Sequence, residues 1–329
     1  MTKTRRTILK LLGAGAVVGP ARVVAQQGYP SRPVKIIVPY PAGGPYDGIP
    51  RIVSQYLSER HGWSVVIENR AGASGLTGVM AAKQSAPDGY TLVVTTSSTH
   101  GSAPALKSSL PYDPWKDLAP VTLLADAFLV ALVRKDVPVT SIGELVSLIR
   151  AKPGELNYAS GGYASQHHLA SAMMLQQSGL KQDDAKHVPF TGLAPALYAL
   201  IGGNVDFMIT TTGAAAQYID RGDLRALAVT SPKRSPRFPD VPTMAESGFP
   251  GFQVLAWCGL AAPAGTPEPI LALWNRMANE ALSDPGVARK IASQDYEPRG
   301  GTAAAYTDFF SRDIEQYRRL AEATGLKDD

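Results

Sequence analysis

The amino-acid sequence predicts an α/β fold whose parallel strands are covered on both faces. Three observations carry this. Short apolar runs alternate along the chain with amphipathic stretches of helical period. Inside the runs there is little in–out alternation, which fits strands buried on both faces. The 329 residues are 45% hydrophobic and 18% charged, enough apolar material for about two domains and too little charge for disorder.

The first apolar run spans residues 34–39, broken only by Lys35. Asp47 then caps a helix with Ile49, Ile52, Val53, Tyr56 and Leu57 on one face. Pro50 is tolerated in its first turn, and Gly62 stops it. Residues 65–67, 92–95 and 128–133 read as further strands. Ser141-Ile142-Gly143-Glu144 is a capping box opening a helix with Leu145, Leu148 and Ile149 inside, and Pro153-Gly154 follows it. A strand at 156–160 leads to a helix at 166–177. Strands at 205–209 and 226–230 flank a helix near 214–221. Pro267 and Pro269 precede a helix with Leu271, Trp274, Met277, Ala278, Ala281 and Leu282 at helical spacing. Thr302 caps the last helix, whose inner face is Tyr306, Phe309, Phe310, Ile314, Tyr317 and Leu320.

Charge is unevenly placed. The chain carries a net +4, but Lys3, Arg5, Arg6, Lys10 and Arg22 all lie in residues 1–26, which hold no acid. The rest has 27 basic against 28 acidic residues, a net of −1, so a nucleic-acid footprint has no support. Thr4-Arg5-Arg6-Thr7-Ile8-Leu9-Lys10 precedes apolar residues 11–18, and Val23-Val24-Ala25 offers a cut after Ala25. This is the three-part layout of a secretory signal over residues 1–25. The paired arginines resemble a twin-arginine signal, with Sec export as the alternative. The apolar run falls well short of the roughly 20 residues that span a bilayer. Cys258 is the only cysteine, so the chain has no internal disulfide and no lipid anchor at the end of the signal. It lies in an apolar run and reads as a buried small hydrophobe. A soluble protein, free in a bacterial periplasm, is expected.

In open α/β sheets, ligands bind beyond the carboxyl ends of strands. The segments expected there share a composition. Tyr40-Pro41-Ala42-Gly43-Gly44-Pro45-Tyr46-Asp47 opens a helix whose free N–H groups suit an anion. Glu68-Asn69-Arg70-Ala71-Gly72-Ala73-Ser74-Gly75 is small and holds the one cation, Arg70, which has a structural alternative role. Thr95 to His100, Ser160 to His168, and Thr210-Thr211-Thr212-Gly213 supply hydroxyls. Together they describe a cleft lined by backbone amides and hydroxyls with few fixed charges. It can hold a small polar molecule without the desolvation cost of a buried arginine. Each segment also has a plain reading as a capped turn.

The motifs of enzymes are missing: no Gly-x-x-x-x-Gly-Lys-Ser/Thr, Gly-x-Ser-x-Gly, His-Glu-x-x-His or Cys-x-x-Cys occurs. Adjacent His167 and His168 point about 100° apart on a helix and chelate metal poorly. Ser165 and His168 have the spacing of a dyad but no orienting acid. No catalysis, cofactor or metal is expected.

Several segments carry a family resemblance: Ile36-Ile37-Val38-Pro39-Tyr40-Pro41-Ala42-Gly43-Gly44, Val66-Ile67-Glu68-Asn69-Arg70-Ala71-Gly72, Ala86-Pro87-Asp88-Gly89-Tyr90-Thr91-Leu92, Leu110-Pro111-Tyr112-Asp113-Pro114, and Ala261-Ala262-Pro263-Ala264-Gly265-Thr266-Pro267. By their order and spacing the chain resembles the Bug-type substrate-binding proteins of tripartite tricarboxylate transporters. The resemblance implies a type II periplasmic-binding-protein fold, with lobe one formed by 27–126 and 247–329 and lobe two by 127–246. It implies a monomeric receptor that binds a small carboxylate, held mainly by backbone amides and waters, for the membrane subunits of a transporter. The implied ligand residues are Ala42, Gly43, Gly44, Tyr46, Asp47, Gly72, Ala73, Ser74, Thr96, Ser97, Ser98, Gly162, Tyr163, Ser165, Gln166, His168, Thr191, Thr210, Thr211 and Thr212. Tyr46, the 161–167 loop and Thr210–Thr212 depart from the family pattern. Tyr46 and Tyr163 favour an aromatic or bulky acid, and a dicarboxylic acid is also within the family's range. A sensing partner of a two-component kinase is the alternative role, and a hydrolase a remoter one.

Overall fold

The computed structural model describes residues 28–326. The export-signal expectation, residues 1–25, lies outside them. In chain order the elements are β1 (Val34–Val38), α1 (Pro45–His61), β2 (Val65–Asn69), α2 (Leu76–Lys83), β3 (Thr91–Thr96), α3 (Ala103–Leu106), β4 (Leu118–Arg134), α4 (Ile142–Ala151), β5 (Asn157–Ser160), α5 (Gln166–Gln177), β6 (Lys186–Pro189), α6 (Leu193–Ile201), β7 (Phe207–Thr211), α7 (Thr212–Asp220), β8 (Leu224–Val229), β9 (Leu255–Pro263), α8 (Glu268–Ser283), α9 (Pro285–Ala292), β10 (Glu297–Pro298) and α10 (Ala303–Thr324). The sheet runs β2-β1-β3-β9-β4-β7-β5-β6, and β8 and β10 also pair with β4.

The α/β class is as expected, but the sheet is mixed. β1 pairs with β2 and β3 in parallel, and β5 with β6 and β7. β9 runs antiparallel to β3 and β4, and β4 antiparallel to β7 and β8. Burial explains why the sequence concealed this. β4 and β9 are enclosed almost throughout, so they read as continuous apolar runs just as buried parallel strands do.

β4 organises the molecule. At 17 residues it reaches about 55 Å and is far longer than the expected 128–133. From Leu118 to Phe128 it pairs with β9; from Leu129 onward its partners are β7 and β8. The first half of the molecule buries Ile36 and Leu92 with Ile49, Val53 and Leu57 of α1 and Trp274 of α8. Its other face buries Ile37 and Val93 against Val79 of α2. In the second half Leu129, Ala131 and Val133 face α4 and α5, while Val130 and Leu132 face α6. Alternation along one strand thus feeds two helix layers. Phe249, Phe252 and Val254 pack with the second half.

Thr230 ties the chain crossings together. Its hydroxyl accepts from the Leu129 N–H at 2.9 Å and donates to the Val254 carbonyl at 2.9 Å. α10 also spans the halves. Tyr306, Phe310 and Ile314 pack on Leu123 and Trp257, and one turn on, Tyr317 and Leu320 join the core of the second half. Cys258 is fully buried in β9, and burial pushes its thiol up to about 12. Among the described residues no helix is long and apolar enough to cross a membrane.

Most expected helices form. Ser141 accepts from the Glu144 N–H, although Glu144 reaches back to Thr140 rather than to Ser141. Pro50 stands in the sixth position of α1, beyond the first turn expected for it. Thr210 and Thr211 belong to β7 and Thr212 to α7, so the expected 210–212 loop is a strand running directly into a helix.

Candidate functional site

The heads of α1 and α5 approach each other across the two halves. The Tyr46 hydroxyl lies 3.3 Å from Ser97 Oγ and accepts from Gln166 Nε2 at 3.3 Å. Ser98 Oγ donates to Gln166 Oε1 at 3.1 Å. Tyr46, Ser97, Ser98 and Gln166 therefore form one bridge. α7 closes on the same side. A Cβ on Gly213 would stand 2.7 Å from the Gln294 carbonyl, so only glycine allows this approach.

The Gly43–Asp47 turn is held by charge. Gly44, not Asp47, is the N-cap of α1, and it makes no side-chain cap bond. Asp47 is the third helical residue and 4% exposed. Its Oδ2 accepts from the Gly43 N–H at 3.0 Å and Arg51 Nε at 2.9 Å; its Oδ1 accepts from Asn69 Nδ2 at 2.9 Å and pairs with Arg51 Nη2. Burial alone would raise the Asp47 carboxyl. The bonds from Arg51, Gly43 and Asn69 outweigh it and hold the group at about 2. Asp47 braces the turn with a saturated carboxylate. Ala42 and Gly43 are exposed at its tip.

Beside it, Gly72, Ala73, Ser74 and Gly75 all have positive φ. For Ala73 and Ser74 this costs of order 1–3 kcal/mol each, an expense borne at functional loops. Gly72, Ala73 and Ser74 are exposed, and Tyr40 donates to the Ser74 carbonyl at 3.4 Å. Thr96 is buried and shares its hydroxyl with Tyr40 at 2.9 Å, so it supports the wall from behind. Arg70 is exposed and paired with Glu68.

The Gly161–Ser165 loop is held by neutral rings. His168 and His187 stack at 3.8 Å with only 5° between their planes. Tyr158 stacks on His187 at 5.0 Å, and Tyr163 tilts over His168 at 4.8 Å. His168 Nδ1 accepts from the Ala164 N–H at 3.1 Å, and His187 Nε2 lies 2.7 Å from Ser160 Oγ. Burial and the facing His187 depress His168 to about 3, and burial depresses His187 to about 4. Ser165 caps α5 and donates to the Gly162 carbonyl at 2.7 Å. The Ser165 hydroxyl and the His168 ring are thus directed to different partners, and the expected dyad spacing yields no dyad. Tyr163 is 41% exposed, and Thr191 is exposed ahead of α6. Among the described residues no cluster of three or more His, Cys, Asp or Glu could hold a metal.

Tyr40, Arg51, Asn69 and His187 act as braces that sequence reasoning did not assign. Tyr40 and Asn69 carried a signal, their places in the segments expected after β1 and β2, and Arg51 and His187 carried none. His187 lies in a strand too short to show a period.

A sheet covered by helices, in two halves joined at β4 and Val254, with helix heads meeting across them, defines a solute-binding receptor of the type II periplasmic-binding-protein fold. The family described as TctC, tripartite tricarboxylate transporter family receptor, matches residues 49–326, and the chain belongs to it. Protein BugT of Bordetella pertussis is 36% identical over 313 residues, 95% of each chain. Among solved structures, Rpa4515 of R. palustris with adipate superposes with a TM-score of 0.83 at 32% identity, covering 91% of this chain and 99% of that one. MatC from Rhodopseudomonas palustris with bound malate gives 0.79 at 33% identity, covering 89% and 99%.

Proposed function

We propose that this receptor closes on a small carboxylate in the periplasm and delivers it to the membrane subunits of a tripartite tricarboxylate transporter. The observation that carries the reading is the meeting of the α1 and α5 heads at one bridge, Tyr46–Gln166–Ser98. Helix heads offer unpaired N–H groups and partial positive charge, so an anion is held there without a facing cation. The Rpa4515 and MatC structures, which contain adipate and malate, support the same ligand class.

The halves act as lobes, with the chain crossing near Leu129 and Val254, where sheet partners and packing change. These points are within about ten residues of the lobe limits that the family resemblance implies, 126/127 and 246/247. Closure is the signal read by the membrane partner. The twin-arginine-like residues 1–25 direct export, and the mature protein works as a monomer without catalysis. The separate partners of Ser165 and His168 support that last reading.

Calorimetric titration of the mature protein with mono- and dicarboxylates tests the proposal. Micromolar or tighter binding of at least one acid is expected. Binding of an uncharged compound, with none of the acids bound, would overturn it.

A further inference from the structure

His167 is the second residue of α5, between Gln166, which bridges to Tyr46, and His168, which stacks on His187. It is 4% exposed, yet neither ring nitrogen has a hydrogen-bond partner among the described residues. Its Nδ1 lies 3.6 Å from the place a Cβ on Gly161 would take, and Leu193 closes on the same point at 3.2 Å. His167 therefore sits where β5 ends and α5 and α6 begin. Thr210 Oγ1 is a second fully buried, unpartnered group at this end. Ala159 pairs with Met208, and Thr210 lies two residues further along β7, toward the same end of the sheet at which β5 gives way to Gly161.

Buried polar atoms are normally paired, and leaving them unpaired costs stability. His167 is neutral, because burial drops it to about 3. A neutral imidazole has one donor and one acceptor. A carboxylate only accepts, so it satisfies the N–H and leaves the other nitrogen empty. A hydroxyl supplies the missing donor and can accept in turn from Thr210.

We propose that His167, with Thr210, anchors a hydroxyl carried beside the ligand's carboxylate, so that the receptor selects hydroxy acids over their unsubstituted counterparts. The proposal rests on the carboxylate reading above. A site built to bond a hydroxyl discriminates strongly against the analogue that lacks it.

The test is calorimetric titration of the mature protein with matched acids: malate against succinate, 3-hydroxybutyrate against butyrate, mandelate against phenylacetate. Among the pairs that bind, the hydroxylated member is expected to bind at least tenfold tighter, and His167→Phe to narrow the gap below threefold. Nitrogen-15 NMR of the unaltered protein gives a readout independent of that variant's folding. The His167 ring nitrogens shift on saturation with the hydroxy acid and stay near their free positions with the plain acid. Equal affinities within every binding pair, a preference that survives in His167→Phe, or unmoved ring nitrogens would overturn the inference and leave the carboxylate reading standing. Binding of no acid would count against both.

Discussion

The two turns that face each other across the cleft are braced by opposite means. In the first half the Gly43–Asp47 turn is fastened by an ionised carboxylate with donors from Gly43, Arg51 and Asn69. In the second half the Gly161–Ser165 loop rests on uncharged rings, His168 on His187 on Tyr158. One brace needs its charge and the other needs its neutrality. The charged brace leaves no carboxylate oxygen over for a ligand, whereas the neutral half keeps His167 and Thr210 uncommitted. On the reading proposed above, one wall of the cleft is finished and the other is left for the ligand to complete.

The largest break in this contrast is Asp47→Ala. It removes the acceptor of the Gly43 N–H and of one Asn69 Nδ2 bond, and loss of a charge-assisted network of this kind should cost about 2–3 kcal/mol in urea unfolding, with Arg51's exposure keeping the figure below that of a fully buried pair. Loss below 1 kcal/mol would show that the turn holds without the carboxylate. His187→Leu removes the middle of the ring stack and should cost about 1 kcal/mol. It should also raise the His168 pKa, read by NMR titration, since the facing His187 helps depress it.

The gentlest probe is acid. In the unfolded chain both histidines take up a proton below about 6.5. In the folded chain they do so near 4 and near 3. Their contribution is complete above pH 6.5 and is lost as pH falls toward those values. Asp47, at about 2 when folded against 3.8, contributes fully above 3.8 and is lost only below it. Hydrogen exchange compared at pH 7.5 and 5, corrected for intrinsic rates, should show amides 161–165 loosening while 43–47 stay protected. Equal loosening of both turns would erase the distinction.

These braces also mark the limit of what the sequence discloses. Helices with a local stop or start signal were legible: α5 spans the expected residues, and Thr302 caps α10 through the Ala305 N–H. Glycine turns such as Gly43–Gly44 and Gly72–Gly75 were legible because they are local features, whereas Thr210–Thr212, expected as a loop, is the end of β7 and the start of α7. Partners fixed only by tertiary contact were not. Asp47 reads locally as a cap, but its role depends on Asn69, 22 residues away. Likewise β4 reads as six residues because Pro120 and Asp126 interrupt its pattern, and only pairing with β9 extends it back to Leu118. His167 shows nothing in sequence beyond its neighbour, and its unpaired nitrogens exist only in the fold.

Cys258 lends the molecule a practical property. The chain's sole thiol is sealed inside β9 and burial keeps it protonated at neutral pH, so alkylating reagents find nothing to modify in the folded protein. A cysteine introduced at one exposed position becomes the single point of dye attachment, with no native residue to remove first. Paired labels, one on each half, would then report lobe motion as a distance.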